Sequence, residues 1–164
     1  LTNHAAVMDA IQHLRPGAIV NCASYNDVDG AESNHRLAFA ANAFVPATLA
    51  RAAEAVDAIL IHYSTDFVFS GTASVPYVET DSPEPQSVYA QSKLVGEWMA
   101  ADWHRHFVVR VESLFGGTQE RSSIDRIIAA LLKGAGPAKL MVTNRPDDKD
   151  PTILYDDVKA VVKM

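Results

Sequence analysis

Tyr89 and Lys93 stand four residues apart in Tyr89-Ala90-Gln91-Ser92-Lys93, so on a helix they share one face. A cation beside a phenol stabilises phenolate and draws the tyrosine pKa down from about 10, toward the range useful in acid–base work. The spacing alone does not mark a site, because Tyr155 and Lys159 also satisfy it. What sets the first copy apart is the stretch Tyr63-Ser64-Thr65-Asp66 upstream, with two hydroxyls and a carboxylate just past an apolar run. Such residues also make ordinary turns. It is the set of strand-end hydroxyl, Tyr and Lys that forms an acid–base site. A further strand end, Asn21-Cys22-Ala23-Ser24-Tyr25, offers small residues that admit a ligand to the backbone, although a plain strand-to-loop turn reads the same way.

Other chemistries lack their residues. There is no Gly-x-Ser-x-Gly elbow, no His-Glu-x-x-His and no Walker loop. His104 and His106 have no second ligand cluster and read as a solvated helix end entering a strand, not a metal site. Cys22 reads as a small buried residue. Glu79, Asp81 and Glu84 read as a solvated loop, Phe39, Phe44 and Leu49 as core, and Tyr155 as a structural helix residue.

The elements that must position these groups follow from periodicity. Val7, Ile11 and Leu14 fall on one helical face within residues 5–15, and Pro16-Gly17 stops that helix. Residues 18–23 and 58–63 are apolar without alternation, the pattern of strands covered on both faces, and Phe67-Val68-Phe69 follows the second. Residues 24–36 read as a loop with a helical turn near 30–33, and residues 37–56 as one long alanine-rich helix that Pro46 bends or restarts. Pro76, Pro83 and Pro85 place residues 72–86 in a surface loop. Ser87 caps a helix over 88–102, and residues 106–111 form a third strand. Beyond it, 122–133 reads as an amphipathic helix, 139–143 as a short strand and 155–163 as a last helix. Strands alternating with helices imply an α/β fold, a Rossmann-like parallel sheet with helices on both faces and ligands at the strands' carboxyl ends.

Composition bounds the function. The chain of 164 residues has room for one domain, or one domain and the edge of a second. With 14 Lys plus Arg against 20 Asp plus Glu the net charge is −6, which argues against a nucleic-acid partner. One cysteine precludes an internal disulfide and fits a reducing, cytoplasmic compartment. No apolar run approaches the roughly 18 residues of a membrane span, and Leu1-Thr2-Asn3-His4 opens no secretory signal. The absent start Met marks the chain as a piece of a longer protein.

Taken in order, these residues resemble the dTDP-4-dehydrorhamnose reductase branch of the extended short-chain dehydrogenase/reductases. Asn21 to Tyr25 with Val28-Asp29 and Ala31-Glu32-Ser33 resembles the family's stretch after its fourth strand. Ser64-Thr65-Asp66-Phe67-Val68-Phe69-Ser70-Gly71 is similar to its Ser-Thr-Asp-Tyr-Val-Phe-Asp-Gly signature. Tyr77, Glu79, Pro83, Pro85, Tyr89 to Lys93, Gly96-Glu97, Arg110 and Asp150-Pro151-Thr152 with Asp157 continue in family order.

The resemblance implies roles. Tyr89 would protonate the C4 ketone oxygen of a nucleotide sugar as NADPH or NADH delivers hydride. Lys93 would bind the nicotinamide ribose and lower the Tyr89 pKa, and Thr65 would polarise the carbonyl. Asn21, Cys22, Ala23, Ser24 and Tyr25 would border the cofactor. Ser64, Thr65, Asp66, Phe67 and Arg110 would face the substrate, with no metal. Residues 1–115 would form a partial NAD(P)-binding domain lacking the N-terminal strands and Gly-rich loop, and 116–164 the start of the sugar-nucleotide region. Two alternatives keep the same fold: a nucleotide-sugar epimerase or dehydratase with bound NAD, and a non-catalytic regulatory subunit. A homodimer stays open, and neither nucleic acid nor membrane is expected as a partner.

Overall fold

Asn3 starts the first helix, α1 (His4–Leu14), by accepting the Ala6 N–H at 3.1 Å, and Arg15 ends it in a left-handed conformation (φ 45°) just before Pro16. The structure, a computed structural model, describes residues 1–112. The helices expected over 122–133 and 155–163, the strand over 139–143, the second Tyr-x-x-x-Lys and the domain boundary after residue 115 lie outside the described residues.

Three strands, β1 (Ala18–Asn21), β2 (Ile59–Thr65) and β3 (His106–Val111), form a parallel sheet in the order β1-β2-β3. The register pairs Asn21 with His62 and Thr65 with Val111, so the carboxyl ends of β2 and β3 finish level. Between β1 and β2 run α2 (Val28–Ala31), α3 (His35–Phe39), a π-helical turn (Ala40–Phe44) and α4 (Val45–Val56). A 3-10 turn (Asp66–Val68) and α5 (Val88–Ala101) connect β2 to β3. Ser87 caps α5, its hydroxyl accepting the Ala90 N–H at 3.2 Å.

The core joins Val7 of α1, Val45, Leu49, Ala50 and Ala53 of α4, Leu60 of β2 and Ala100 of α5 with Ala58 and Trp103. The Trp103 indole N–H donates to the Ala58 carbonyl at 2.8 Å, so the ring is buried without an orphaned donor. Leu60, His62 and Ser64 point into this layer, whereas Val20, Phe107 and Val109 are exposed. The expectation that β1 is covered on both faces therefore fails among the described residues: Val20 is 54% exposed, and β1 is an edge strand. Two further expectations fail. Phe44 is exposed, not core, and Cys22, one residue past the end of β1, is exposed as well.

The long helix expected over residues 37–56 is interrupted. Pro46 has no N–H to offer the carbonyl four residues back, that of Asn42. The chain widens there into the π turn, Val45 N–H bonding Ala40 O, before α4 continues with Pro46 in its first turn. The freed carbonyl sets the spacing to α5: a Cβ on Gly96 would lie 2.0 Å from Asn42 O, so only glycine allows the two helices this approach.

Candidate active site

Tyr89, Lys93 and Glu97 are spaced by four on α5 and form one row facing the end of β2. Lys93 is 3% exposed, and its ammonium donates to the Tyr63 carbonyl at 2.6 Å. Burial pushes its pKa down to about 8, and the nearby Glu97 carboxylate works in the opposite direction. Thr65 closes β2. Its hydroxyl accepts the Phe67 N–H at 3.2 Å and donates to Asp66 Oδ1 at 3.1 Å, which winds the 3-10 turn. The half-buried Tyr89 ring stands edge-on to Phe67, at 6.1 Å and 87°.

Burial raises the Tyr89 pKa above its ordinary value, while the nearby Thr65 and Ser24 hydroxyls pull it back. This corrects the expectation that Lys93 lowers it: the ammonium is turned to the Tyr63 carbonyl, and desolvation dominates. At neutral pH the phenol keeps its proton. Burial likewise raises the Asp66 carboxyl above the usual range, opposed by the Thr65 hydrogen bond.

The stretch after β1 is held by buried amides. Asn21 Oδ1 accepts the Ala23 N–H at 3.1 Å, which turns its Nδ2 toward His62 Nδ1 at 2.9 Å. The imidazole proton then sits on Nε2, which is buried beside Gly96 without a partner among the described residues. Burial, and next the Lys93 charge, lower the His62 pKa to about 4. Asn42, fully buried in the π turn, is the residue that the sequence reading missed. Its Oδ1 accepts the Tyr25 N–H at 2.7 Å and the Ser24 hydroxyl at 3.0 Å. Its Nδ2 reaches Tyr25 O at 3.2 Å and Ser92 Oγ at 2.9 Å, and Ser92 in turn donates to Tyr89 O at 2.7 Å. One amide thus ties the strand end at Ser24 to the helix turn carrying Tyr89. The only sign in the sequence is a lone amide inside an alanine-rich helix.

Not every expected residue converges. Ser64 and Arg110 have their polar atoms committed to Glu97: Ser64 Oγ donates at 2.5 Å, and Arg110 pairs through Nε at 2.9 Å and Nη2 at 2.7 Å. Cys22 and Ala23 instead line a cavity of about 630 Å³ beside β1 and α1. A second cavity, of about 760 Å³, is lined by Asp66, Phe69, Tyr77, Val109, Arg110 and Glu112, with the Phe69 and Tyr77 rings stacked at 4.3 Å. Among the described residues no group of three or more His, Cys, Asp or Glu could hold a metal ion, and no helix is long and apolar enough to cross a membrane.

A parallel sheet with hydroxyl, phenol and ammonium at its carboxyl edge agrees with what comparison finds. The family model described as the RmlD substrate binding domain matches residues 1–151. The chain belongs to this family. It is 38% identical over 171 residues to a dTDP-4-dehydrorhamnose reductase of Mycobacterium tuberculosis, covering all of this chain and 54% of that protein. A crystal structure of a dTDP-4-dehydrorhamnose reductase from Clostridium acetobutylicum matches at a TM-score of 0.76 and 34% identity, covering 80% of this chain and 47% of the other. A dTDP-4-dehydrorhamnose reductase of Bacillus anthracis in complex with NADP matches with the same TM-score, identity and coverage. This RmlD-family chain spans about half the length of the curated relative from Mycobacterium.

Proposed function

We propose that the protein reduces the 4-keto group of a nucleotide-linked 6-deoxy sugar of the dTDP-4-dehydrorhamnose type, using NADPH or NADH. The observation that carries this reading is the convergence at the carboxyl end of β2 of Thr65, the Tyr89 ring edge-on to Phe67 at 6.1 Å, and a buried Lys93 donating to the Tyr63 carbonyl at 2.6 Å. The groups present fit the nicotinamide-ribose end of such a cofactor: uncharged hydrogen-bonding atoms at Ser24 and Tyr89, and one ammonium, suit hydroxyls and a carboxamide. No Gly-x-Gly-x-x-Gly turn occurs in the sequence, so no residue here is assigned to the pyrophosphate. Residues 1–115 carry this cofactor side, and 116–164 begin the sugar-nucleotide region.

When bound, the cofactor supplies the hydride that reduces C4. The chain manages the oxygen. Thr65, its O–H turned from Asp66 Oδ1 to the carbonyl, polarises it, and Tyr89, kept protonated by burial, gives its proton to the oxygen as the alcohol forms. The nearby Thr65 and Ser24 side chains favour the tyrosinate left behind. Asp66 and Phe67 flank the sugar, while Ser64 and Arg110 act from behind through Glu97.

The test follows NADPH oxidation by the full-length gene product with dTDP-4-dehydrorhamnose. Replacing Tyr89 by Phe lowers the rate by about 10²–10⁴-fold, the usual contribution of a positioned acid. Absence of substrate-dependent oxidation, or a Y89F protein as fast as the parent, would favour a binding protein of the same fold instead.

A further inference from the structure

Glu97 takes no part in the proton transfer just described, yet it is 6% exposed and its carboxylate carries three hydrogen bonds from two strands. A buried carboxylate stays ionised only where charge and donors compensate its lost hydration. Arg110 of β3 supplies both, gripping the two oxygens with Nε and Nη2, and its guanidinium is braced over the Phe69 ring at 4.8 Å. The remaining contact is Ser64, the residue immediately before Thr65. One helical turn earlier on the same face stands Lys93.

We propose that Glu97 is a positioning residue: its Arg110-gripped carboxylate fixes the end of β2 through Ser64 and supplies the negative charge that keeps Lys93 an ammonium. The inference rests on the reductase reading for its catalytic consequence, but its physical content does not. Lys93 is nearly fully buried, and its one hydrogen-bond partner among the described residues, the Tyr63 carbonyl, is neutral. Among the described ionisable groups facing it, Tyr89 on α5 and His62 on β2 are uncharged at neutral pH, Arg110 on β3 is cationic, and the Asp66 carboxylate in the 3-10 turn is engaged by the Thr65 hydroxyl at 3.1 Å. Those on α2, α3 and α4, namely Asp29, His35, Arg36, Arg51 and Glu54, are exposed at the surface. Among the described residues Glu97 is the buried carboxylate whose charge opposes desolvation of the lysine.

The test measures the titration midpoint of Lys93 by NMR of side-chain-labelled lysine, and the pH dependence of kcat beside it, in the full-length protein. In Glu97→Gln the midpoint falls by about one pH unit, the size expected for losing a nearby opposite charge. The alkaline limb of kcat falls with it. Ser64→Ala removes a hydrogen bond but no charge, so it lowers kcat while leaving the midpoint in place. A merely structural Glu97 would move neither. Because Glu97→Gln strands the Arg110 charge, the Glu97→Gln/Arg110→Gln double variant is measured too and shifts the same way by less. An unchanged midpoint in a folded Glu97 variant overturns the proposal, as does failure of both Glu97 variants to fold, which would assign the residue to the fold alone. If the parent protein does not oxidise NADPH with the sugar nucleotide, the reductase reading fails, while the NMR midpoints still decide the role of Glu97.

Discussion

Strands β1 and β2 are both apolar runs ending in polar residues, yet they do different work. Among the described residues β1 is an edge: Val20 is exposed, and the amides and hydroxyls after it are held by Asn21 and Asn42. β2 is paired on both sides and backed by α4 and α5, so Leu60, His62, Ser64 and Thr65 are all buried. The difference teaches where acid–base chemistry can sit. Shifting a pKa by desolvation takes a strand covered by neighbours. His62, Lys93 and Tyr89, whose pKa values move by burial first, lie on or over β2, while Cys22 at the end of β1 is open to solvent.

Three substitutions or titrations would break or sharpen this contrast. The largest effect is expected at Leu60, fully buried at the centre of β2: Leu60→Ala costs about 2–5 kcal/mol by leaving a cavity, read from urea unfolding at constant slope. A loss below 1 kcal/mol would mean that β2 is not the anchored strand. Next is acid sensitivity centred on the pair that links the strands, Asn21 and His62. Because the folded pKa of His62, about 4, lies below the unfolded value of 6.5, the unfolded chain binds the extra proton between those values. Stability is therefore complete above about pH 6.5 and declines as pH falls toward 4, by on the order of 3 kcal/mol. Urea unfolding from neutral to acid pH should show this slope in the parent and lose it in His62→Gln; an identical slope in both would discharge His62 of the role. The smallest effect belongs to β1: Val20→Thr on its exposed face changes stability by no more than about 0.5 kcal/mol. A larger penalty would show that this face is covered.

Much of the fold was legible because it is local. The helix over residues 88–102 with its Ser87 cap and the third strand over 106–111 appear as expected, since cap chemistry and apolar runs act over a few residues. The break at Pro46 was legible only in outline: proline says that a donor is missing, but not that the chain will answer with a π turn and present the Asn42 carbonyl to Gly96. Phe44 misled because an aromatic residue in an alanine-rich helix looks like core, and the π turn rotates which residues face inward.

What the sequence by itself determined was the order of the parts: apolar runs for the strands, spacing by four that lines up Tyr89 and Lys93, and a hydroxyl pair at the end of β2. What only the tertiary structure decided was how those groups are tuned. Lys93 turns to a backbone carbonyl, burial raises the phenol pKa, and Ser64 and Arg110 converge on Glu97. The physical reason is that spacing along a helix sets which side chains can be neighbours. Their protonation depends on how much water the packed strands and helices remove, and that is fixed by contacts between residues distant in the chain.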